Sequence, residues 1–234
     1  MSFIFKSTNI SIKNKKNSFF LEVKNTDNNK NKYLFDSIDI SNLDVKKKCS
    51  ENNICSIEFQ AESVLSLKKI ISTNDYLDYK ELVSLFESIK KQLDFLYIKK
   101  LGILYFTIDD IVVIEKNDKK QFVFLNSNKI FDVIDDKLFV TNTFEKNNKN
   151  VFLQPELLSY NSIPFNISHK SCYFSLSLLI SFCIEGKKID FLKPISWNVD
   201  DYIKILEPIS NTSLYWALLR CQEFSPEDRY LLLI

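Results

Sequence analysis

Near the end of the chain, residues 218–229 read LLRCQEFSPEDR. The apolar pattern around the start of this stretch predicts a helix from Thr212 to Glu223. Pro226 lacks a backbone N–H, which the first turn of a helix does not need, so it is well placed to begin another helix that runs to Ile234. The chain is therefore expected to finish in two helices, with Arg229 in the second.

Two stretches further upstream also point to helices. Residues 152–157 read FLQPEL, and the chain is predicted to be mainly helical from Pro155 onward. Residues 169–177 read HKSCYFSLS and open a segment, Ser171 to Glu185, that is apolar nearly all round. Because a helix of that composition is buried on every side, we expect Ser171 to Glu185 to be the central helix of the fold.

In this order, the three stretches resemble the protein kinase family. FLQPEL is similar to the Ala-Pro-Glu end of a kinase activation segment, HKSCYFSLS to the start of the kinase central helix, and LLRCQEFSPEDR to the closing pattern of the domain. The resemblance covers roughly residues 54–234. It is nearest to the divergent kinase-like proteins of large DNA viruses, whose AT-rich coding composition fits the many Asn, Lys, Ile and Phe residues of this chain. It implies an α+β, bilobal protein-kinase-like fold with a reduced β-rich N-terminal lobe and a mainly helical C-terminal lobe.

The resemblance also assigns structural roles to four residues. The final arginine of the kinase pattern normally pairs with the glutamate of Ala-Pro-Glu, which implies an ion pair between Glu156 and Arg229. Pro155 matches the proline of the Ala-Pro-Glu pattern, and Ser175 matches a serine of the central-helix pattern. These two residues complete the expected fold anchors.

Local patterns divide the chain as such a fold requires. Residues 1–60 are expected to form the reduced N-terminal lobe, and residues 61–234 the helical lobe with an embedded β-hairpin, together one kinase-like domain. Aromatic and β-branched runs between polar turns predict the N-terminal strands, at Phe3–Lys13, Ser18–Lys24, Lys32–Ile40 and Ile54–Gln60.

Helical spacing of apolar residues predicts two helices after the first strands. A short one begins at Ser63, a possible N-cap, and ends at Ile71. A longer one runs from Asp78 to about Lys100 and stops at Gly102, the expected place for a helix-terminating glycine. Apolar runs on either side of residues 116–119 then predict the β-hairpin.

Composition excludes several classes of site. The chain has two glycines, Gly102 and Gly186, which stand too far apart for a Walker loop or a dinucleotide-binding fingerprint. A single histidine, His169, excludes HExxH metalloproteases and paired-histidine zinc fingers.

The formal net charge of +1 predicts binding to neither nucleic acid nor membrane. Five cysteines without CxxC spacing, and an N-terminus unlike a signal peptide, predict a cytoplasmic protein, in the host cytoplasm or the virion if it is viral.

Phosphoryl transfer by kinases needs a phosphate-binding loop, an anchoring lysine, metal ligands and a base. The glycine-rich loop is absent, as the glycine content requires. The nearest match to the lysine motif is LEVK, residues 21–24, which makes Lys24 a weak candidate for binding ATP. A surface position at the end of a strand is the alternative for Lys24.

The catalytic loop should follow the long helix, where residues 102–114 read GILYFTIDDIVVI. Alignment on the hairpin strand places Asp110 at the metal-binding asparagine and leaves no carboxylate at the base position, although Asp109 could substitute. A plain turn before a strand would also account for both aspartates. Asn126 stands where the aspartate of Asp-Phe-Gly is expected, and Cys172 where an aspartate normally braces the catalytic loop.

These losses fall on catalytic positions while the expected anchors are retained, which favours a catalytically degenerate kinase-like protein. Such a pseudokinase would need no cofactor and would act as a scaffold or regulator through an unknown protein partner. One alternative is a divergent active Ser/Thr protein kinase that uses ATP and magnesium, with Asp109 or Asp110 as base and Asn126 as metal ligand. Another is a structural or virion-associated protein on a kinase-like scaffold.

Overall fold

A five-stranded antiparallel sheet begins the fold in the computed structural model, which describes residues 2–6, 10–15, 18–24, 29–38, 45–49, 54–144, 151–185 and 199–234. In the order β1-β2-β3-β5-β4, the strands are β1 (Ser2–Lys6), β2 (Ile10–Lys15), β3 (Ser18–Lys24), β5 (Ile54–Phe59) and β4 (Val45–Cys49). Ile10 lies opposite Val23 and Ile12 opposite Leu21, and all four side chains are buried. The predicted strands that begin at Ser18 and Ile54 are confirmed, whereas residues 3–13 contribute to two strands.

A helix, α1 (Asn29–Asp36), follows β3, so the strand predicted from Lys32 to Ile40 is wrong. The buried residues of this segment are Asn31, Leu34, Phe35, Ser37 and Ile38. Their spacing of three and four residues is helical, and it places them on one face that packs against β3 and the long helix described below. The aromatic and β-branched residues of this segment favour a strand, but the burial of one face against β3 and the long helix stabilises a helix.

The segment after the first sheet is a short strand and then a helix, so the helix predicted from Ser63 to Ile71 is wrong for its first four residues and confirmed from Leu67 onward. β6 comprises Ser63–Ser66, and α2 comprises Leu67–Asn74. The N-cap is Ser66, whose Oγ accepts a hydrogen bond from the backbone N–H of Lys69 at 3.3 Å. Ser63 instead lies on the strand, where its hydroxyl donates to Glu115.

The long helix is α3 (Tyr79–Ile98), which confirms the helix predicted after Asp78. It begins with a capping box in which Asp78 and Glu81 each accept a hydrogen bond from the backbone N–H of the other. The helix ends before Gly102, because Lys100 already has a left-handed φ of 58°.

Gly102 is therefore a strand residue and not a helix terminator. It lies on β7 (Leu101–Ile103), opposite Phe131 of a neighbouring strand. A Cβ at this position would lie 2.6 Å from Cδ2 of Leu138. Close packing, and not a turn, accounts for this glycine.

Two further sheets follow. The first has three strands in the order β10-β9-β6, where β9 (Ile111–Lys116) and β10 (Lys119–Phe124) form the predicted hairpin around Asn117 and Asp118, both with positive φ. The second has four strands in the order β14-β12-β11-β7, with β11 (Ile130–Ile134), β12 (Lys137–Val140) and β14 (Phe165–Ser168). A short ladder joins β8 (Phe106–Thr107) to β13 (Val151–Phe152).

The C-terminal part of the chain is mainly helical. It contains α4 (Pro155–Ser159), α5 (Ser171–Glu185), α6 (Val199–Ile205) and α7 (Ser213–Cys221). As predicted, α5 is central: Leu176, Leu179 and Ile180 are fully buried, and α3, α6 and α7 pack around the helix. One buried hydrophobic cluster continues from the first sheet through α3 to α5 and α7. None of the described helices is both long enough and apolar enough to span a bilayer.

The last predicted helix, Pro226–Ile234, is wrong beyond its first turn. Residues Pro226–Asp228 form a short 3-10 helix, and Arg229 has an extended backbone. Contacts of the Arg229 side chain, described below, hold this extended end against the helical part. The helix predicted from Thr212 corresponds to α7.

Candidate functional site

The loop between α3 and β9 is fixed by main-chain hydrogen bonds to the segment that follows β10. Leu104 N–H donates to Lys129 O at 2.9 Å, and Leu125 N–H donates to Asp110 O at 2.9 Å. A 3-10 helix, Ile108–Asp110, ends the loop, and another, Ser127–Lys129, lies opposite it. The two segments thereby bring together side chains that are far apart in sequence.

Asp110 and Asn126 meet across these two segments. The Asp110 side chain is almost fully buried, with 4% of its residue surface exposed. Its Oδ1 accepts from Asn126 Nδ2 at 2.7 Å, and its Oδ2 accepts from the Thr107 hydroxyl at 2.6 Å. Two of the residues singled out in the sequence as metal-ligand candidates therefore lie in direct contact.

Lys129 completes this cluster, although no motif in the sequence singles it out. Its ammonium forms an ion pair with Asp110 Oδ2, donates to Thr107 Oγ1 at 3.3 Å and lies 4.3 Å from the centre of the Tyr105 ring. Such contact with a ring face is attractive for a cation. We refer below to Asp110, Asn126, Thr107, Lys129 and Tyr105 as the Asp110 cluster.

Asp109 does not belong to the Asp110 cluster. Its carboxylate faces α2 and lies 2.8 Å from the ammonium of Lys68, and both side chains are about half exposed. Adjacent residues in a tight 3-10 turn project in different directions, so the two aspartates are paired with different lysines. The structure thus separates the two candidate bases.

The stretch in which the catalytic base is expected, residues 103–107, contains no carboxylate. Ile103, Leu104, Tyr105 and Phe106 are all buried, at 7% exposure or less. The first carboxylate after β7 is that of Asp109. No group in residues 103–108 can therefore accept a proton from a substrate hydroxyl as a carboxylate does.

The Asp110 cluster does not fit a magnesium ion as it is arranged. Magnesium takes oxygen ligands in near-octahedral geometry, but Asn126 turns its amide NH₂ toward Asp110 while its Oδ1 accepts from the N–H of Asn128 at 3.1 Å. The ammonium of Lys129 already supplies positive charge at Asp110 Oδ2. A divalent cation beside this ammonium would be repelled by it.

Lys24 is the last residue of β3, and its side chain lies outside the described residues. In kinases the anchoring lysine lies on the third strand and pairs with a glutamate of the following helix. Here α1 has the sequence NKNKYLFD, which contains no glutamate. The assignment of Lys24 as an ATP-binding residue stays a prediction.

Glu156 and Arg229 form the pair that the resemblance implied. The guanidinium donates from Nη2 to Glu156 Oε1 at 2.5 Å and from Nη1 to Oε2 at 3.2 Å. It also donates to the carbonyls of Glu223 and Phe224 and stacks over the Phe174 ring. Arg229 is fully buried, so a single side chain joins α4, α5 and the segment after α7.

Pro155 and Ser175 lie on α4 and α5. Pro155 is the first residue of α4, as expected for a proline at a helix start. Ser175 is fully buried, and its Oγ accepts from Phe106 N–H at 2.8 Å and donates to Phe152 O. This hydroxyl therefore connects α5 to both β8 and β13.

Cys172 does not brace the loop, although it stands at the position of the aspartate that normally does. Its thiol donates to His169 O at 3.2 Å within the first turn of α5. Burial raises the pKa of the Cys172 thiol to about 12, so the group stays neutral. The contact with the loop backbone is made by Ser175, one turn further along the helix.

A crevice of about 450 Å³ lies between the first sheet and the segment from β6 to α2. Its apolar walls come from Phe3, Phe19, Val64 and Leu65, and Lys69 adds a cationic side chain. Polar residues, among them Asn14, Glu62 and Ser63, make up most of the rest of its lining. It is lined by other residues than those of the Asp110 cluster.

Comparison with known proteins identifies the architecture. No family model matches the chain, and no curated protein matches it in sequence. Among solved structures, the chain is similar to the autoinhibited serine kinase domain of the giant muscle protein titin. The two share 14% sequence identity with a TM-score of 0.58, and the match covers 99% of this chain and 75% of that one. At this identity the likeness shows the fold alone: the chain has an α+β, protein-kinase-like fold with a β-rich N-terminal region and a helical C-terminal part.

Proposed function

We propose that this kinase-like protein is a pseudokinase, which does not transfer phosphate and acts as a protein-binding scaffold or regulator. One observation carries the proposal: both carboxylates of the loop between β7 and β9 are held in ion pairs with lysines. Asp109 is paired with Lys68 on the outside, and Asp110 with Lys129 on the inside.

Each pairing removes a group that phosphoryl transfer depends on. A catalytic base has to reach the substrate hydroxyl and accept its proton, but both oxygens of Asp110 already accept hydrogen bonds in a buried cluster. Stabilisation of charge on the transferred phosphoryl group depends on positioned metal ions, and Lys129 competes with such an ion. These arrangements support the loss of catalysis.

The retained contacts support selection of the protein for its shape. The Glu156–Arg229 pair and the Ser175 hydrogen bonds stabilise the helical part without taking part in any reaction. A protein that keeps its architecture and lacks a working site acts by binding, and we propose a protein partner. The resemblance to kinase-like proteins of large DNA viruses supports a site of action in the host cytoplasm or the virion.

A phosphate-transfer assay tests the proposal. The purified protein, with radiolabelled ATP and either magnesium or manganese, is expected to label neither itself nor a generic acceptor such as casein or myelin basic protein. The Asp110→Asn variant is the matched control. Transfer by the wild-type protein that this variant abolishes would overturn the proposal.

One observation favours a second candidate, a divergent active Ser/Thr protein kinase. Asp110 and Asn126, placed by the resemblance at two metal-binding positions, do lie in contact at 2.7 Å. Such a kinase would bind ATP in the crevice beside Phe19 and Leu65 and would have to displace Lys129 to admit magnesium. Saturable thermal stabilisation by ATP with magnesium, together with Asp110-dependent transfer, would select this candidate.

A further inference from the structure

The proposed function leaves open why Asp110 and Asn126 are kept together in a site without catalysis. The Asp110 cluster suggests an answer, and this answer rests on the proposed function. We propose that the ammonium of Lys129 is a built-in substitute for a divalent cation. Removal of this side chain would then convert the cluster into a site that binds a divalent cation through Asp110.

The ammonium occupies a position that is suited to a cation on three sides. Asp110 Oδ2 provides a full negative charge, the Thr107 hydroxyl oxygen a dipole at 3.3 Å, and the Tyr105 ring a π face at 4.3 Å from its centre. The Lys129 side chain is 12% exposed and that of Asp110 is 6% exposed. The site is therefore small and largely shielded from solvent, and the groups that surround the ammonium favour a positive charge.

The backbone holds Lys129 in place independently of its side chain. Its N–H donates to Asn126 O at 3.2 Å, and its carbonyl accepts from Leu104 N–H at 2.9 Å. Because these bonds do not involve the ammonium, the positions of Asp110, Thr107 and Asn126 are expected to persist when the side chain is shortened or made apolar. Loss of the ammonium alone would then leave the oxygens of Asp110 and Thr107 in position.

Without Lys129, Asp110 would be a buried carboxylate without a countercharge. Such a group is strongly destabilising unless it is protonated or gains another cation. Divalent manganese or magnesium prefers carboxylate, hydroxyl and amide oxygens and keeps several of its own waters. Asp110 and Thr107 already present oxygens, and Asn126 would add a third by turning its amide over.

Manganese binding to a set of variants tests the substitution. Lys129→Met removes the charge and keeps an unbranched side chain that can pack on Tyr105. We expect millimolar MnCl₂ to leave the melting temperature of the wild-type protein unchanged and to raise that of Lys129→Met by about 3 °C or more. Electron paramagnetic resonance should show the free manganese signal fall by one equivalent for this variant alone.

Two control variants define the site. Asp110→Asn combined with Lys129→Met should remove both the thermal shift and the manganese binding, because the carboxylate is gone. Lys68→Met, which breaks the neighbouring exposed ion pair with Asp109, should behave like the wild-type protein. If Lys129→Met does not fold alone, we expect manganese to restore its folding, since the metal would supply the missing charge.

Three results would overturn the inference. They are a folded Lys129→Met protein that does not respond to manganese, an unfolded one that manganese does not restore, and an equal response from the wild-type protein. No nucleotide is present in these measurements, so they are independent of the phosphate-transfer assay. Transfer by the wild-type protein would overturn the proposed function, whereas these three results concern only the role of Lys129.

Discussion

Arg229 and Glu156 form a bidentate ion pair between the extended C-terminal segment and the first turn of α4. The guanidinium is fully buried, while the Glu156 side chain is 20% exposed. Arg229 also donates to the carbonyls of Glu223 and Phe224. The pair is therefore asymmetric, and most of the surrounding contacts belong to the arginine.

Glu156→Ala should lower the free energy of unfolding by about 3 kcal/mol, because it leaves a buried guanidinium without its anionic partner. Arg229→Ala should cost more, since it also loses two hydrogen bonds of about 1 kcal/mol each. Urea denaturation of the single variants and the double variant measures the coupling. Arg220→Ala, which breaks an exposed pair with Glu223, is the control and should change stability by less than about 0.5 kcal/mol. Fully additive losses in the Glu156–Arg229 cycle would contradict the coupling.

Ser175→Ala should destabilise the protein by about 2–3 kcal/mol, because Phe106 N–H and Phe152 O lose their hydroxyl partner in a buried site. Ser171→Ala on the same helix is a matched comparison. Ser171 is also fully buried, but its hydroxyl has no hydrogen-bond partner among the described residues. Thermal or urea unfolding should therefore show no loss of stability for Ser171→Ala. Equal losses for the two variants would contradict the role given to Ser175.

Gly102→Ala should cost about 1–3 kcal/mol through overpacking, because the new methyl group would lie 2.6 Å from Cδ2 of Leu138. Leu138 is fully buried and cannot simply move aside. Combining Gly102→Ala with Leu138→Val shortens the opposing side chain and should recover part of the loss. Urea denaturation of the two single variants and the double variant measures the loss of unfolding free energy in each. A loss in the double variant that equals or exceeds the sum of the two single losses would contradict this explanation of Gly102.

The sequence was sufficient for elements whose determinants are local. Helix α3 carries both its capping box, Asp78 and Glu81, and a long apolar stripe within its own residues. The hairpin of β9 and β10 similarly depends on Asn117 and Asp118, which tolerate positive φ. The prediction for residues 32–40 failed because α1 is short. Its apolar face is stabilised only by packing against β3 and α3, which the local sequence does not reveal.

The candidate site was predictable only in part. The resemblance aligns Asp110 and Asn126 with two metal-binding positions of kinases, and the side chains of these two residues are in contact in the structure. Lys129 could not be identified, because it is one of 31 basic residues and its pairing with Asp110 depends on how two 3-10 helices face each other. Ser175 was matched by the resemblance as a pattern residue, but its contact with Phe106 depends on the rotation of α5 against β8.

Buried thiols should make the protein less stable in alkaline solution. Burial raises the pKa of the Cys172 thiol to about 12 and also raises the pKa values of Cys183 and Cys221 above their ordinary range. Each thiol keeps its proton in the folded state and loses it after unfolding above about pH 8.5. The stabilising contribution is therefore complete below about pH 8.5 and decreases as the pH rises toward the folded pKa.

Above about pH 8.5, each of these thiols should lower the free energy of unfolding by up to about 1.4 kcal/mol per pH unit. Urea denaturation between pH 7 and 9.5, below the ordinary pKa of tyrosine at about 10, measures this slope. Cys172→Ala should make the slope shallower by the contribution of one thiol.

Alkylation by iodoacetamide at pH 8 should reach Cys172, Cys183 and Cys221 only after unfolding, as mapped by mass spectrometry, because the neutral thiol is not the nucleophile. Rapid alkylation of Cys172 in the folded protein would contradict its burial in the first turn of α5.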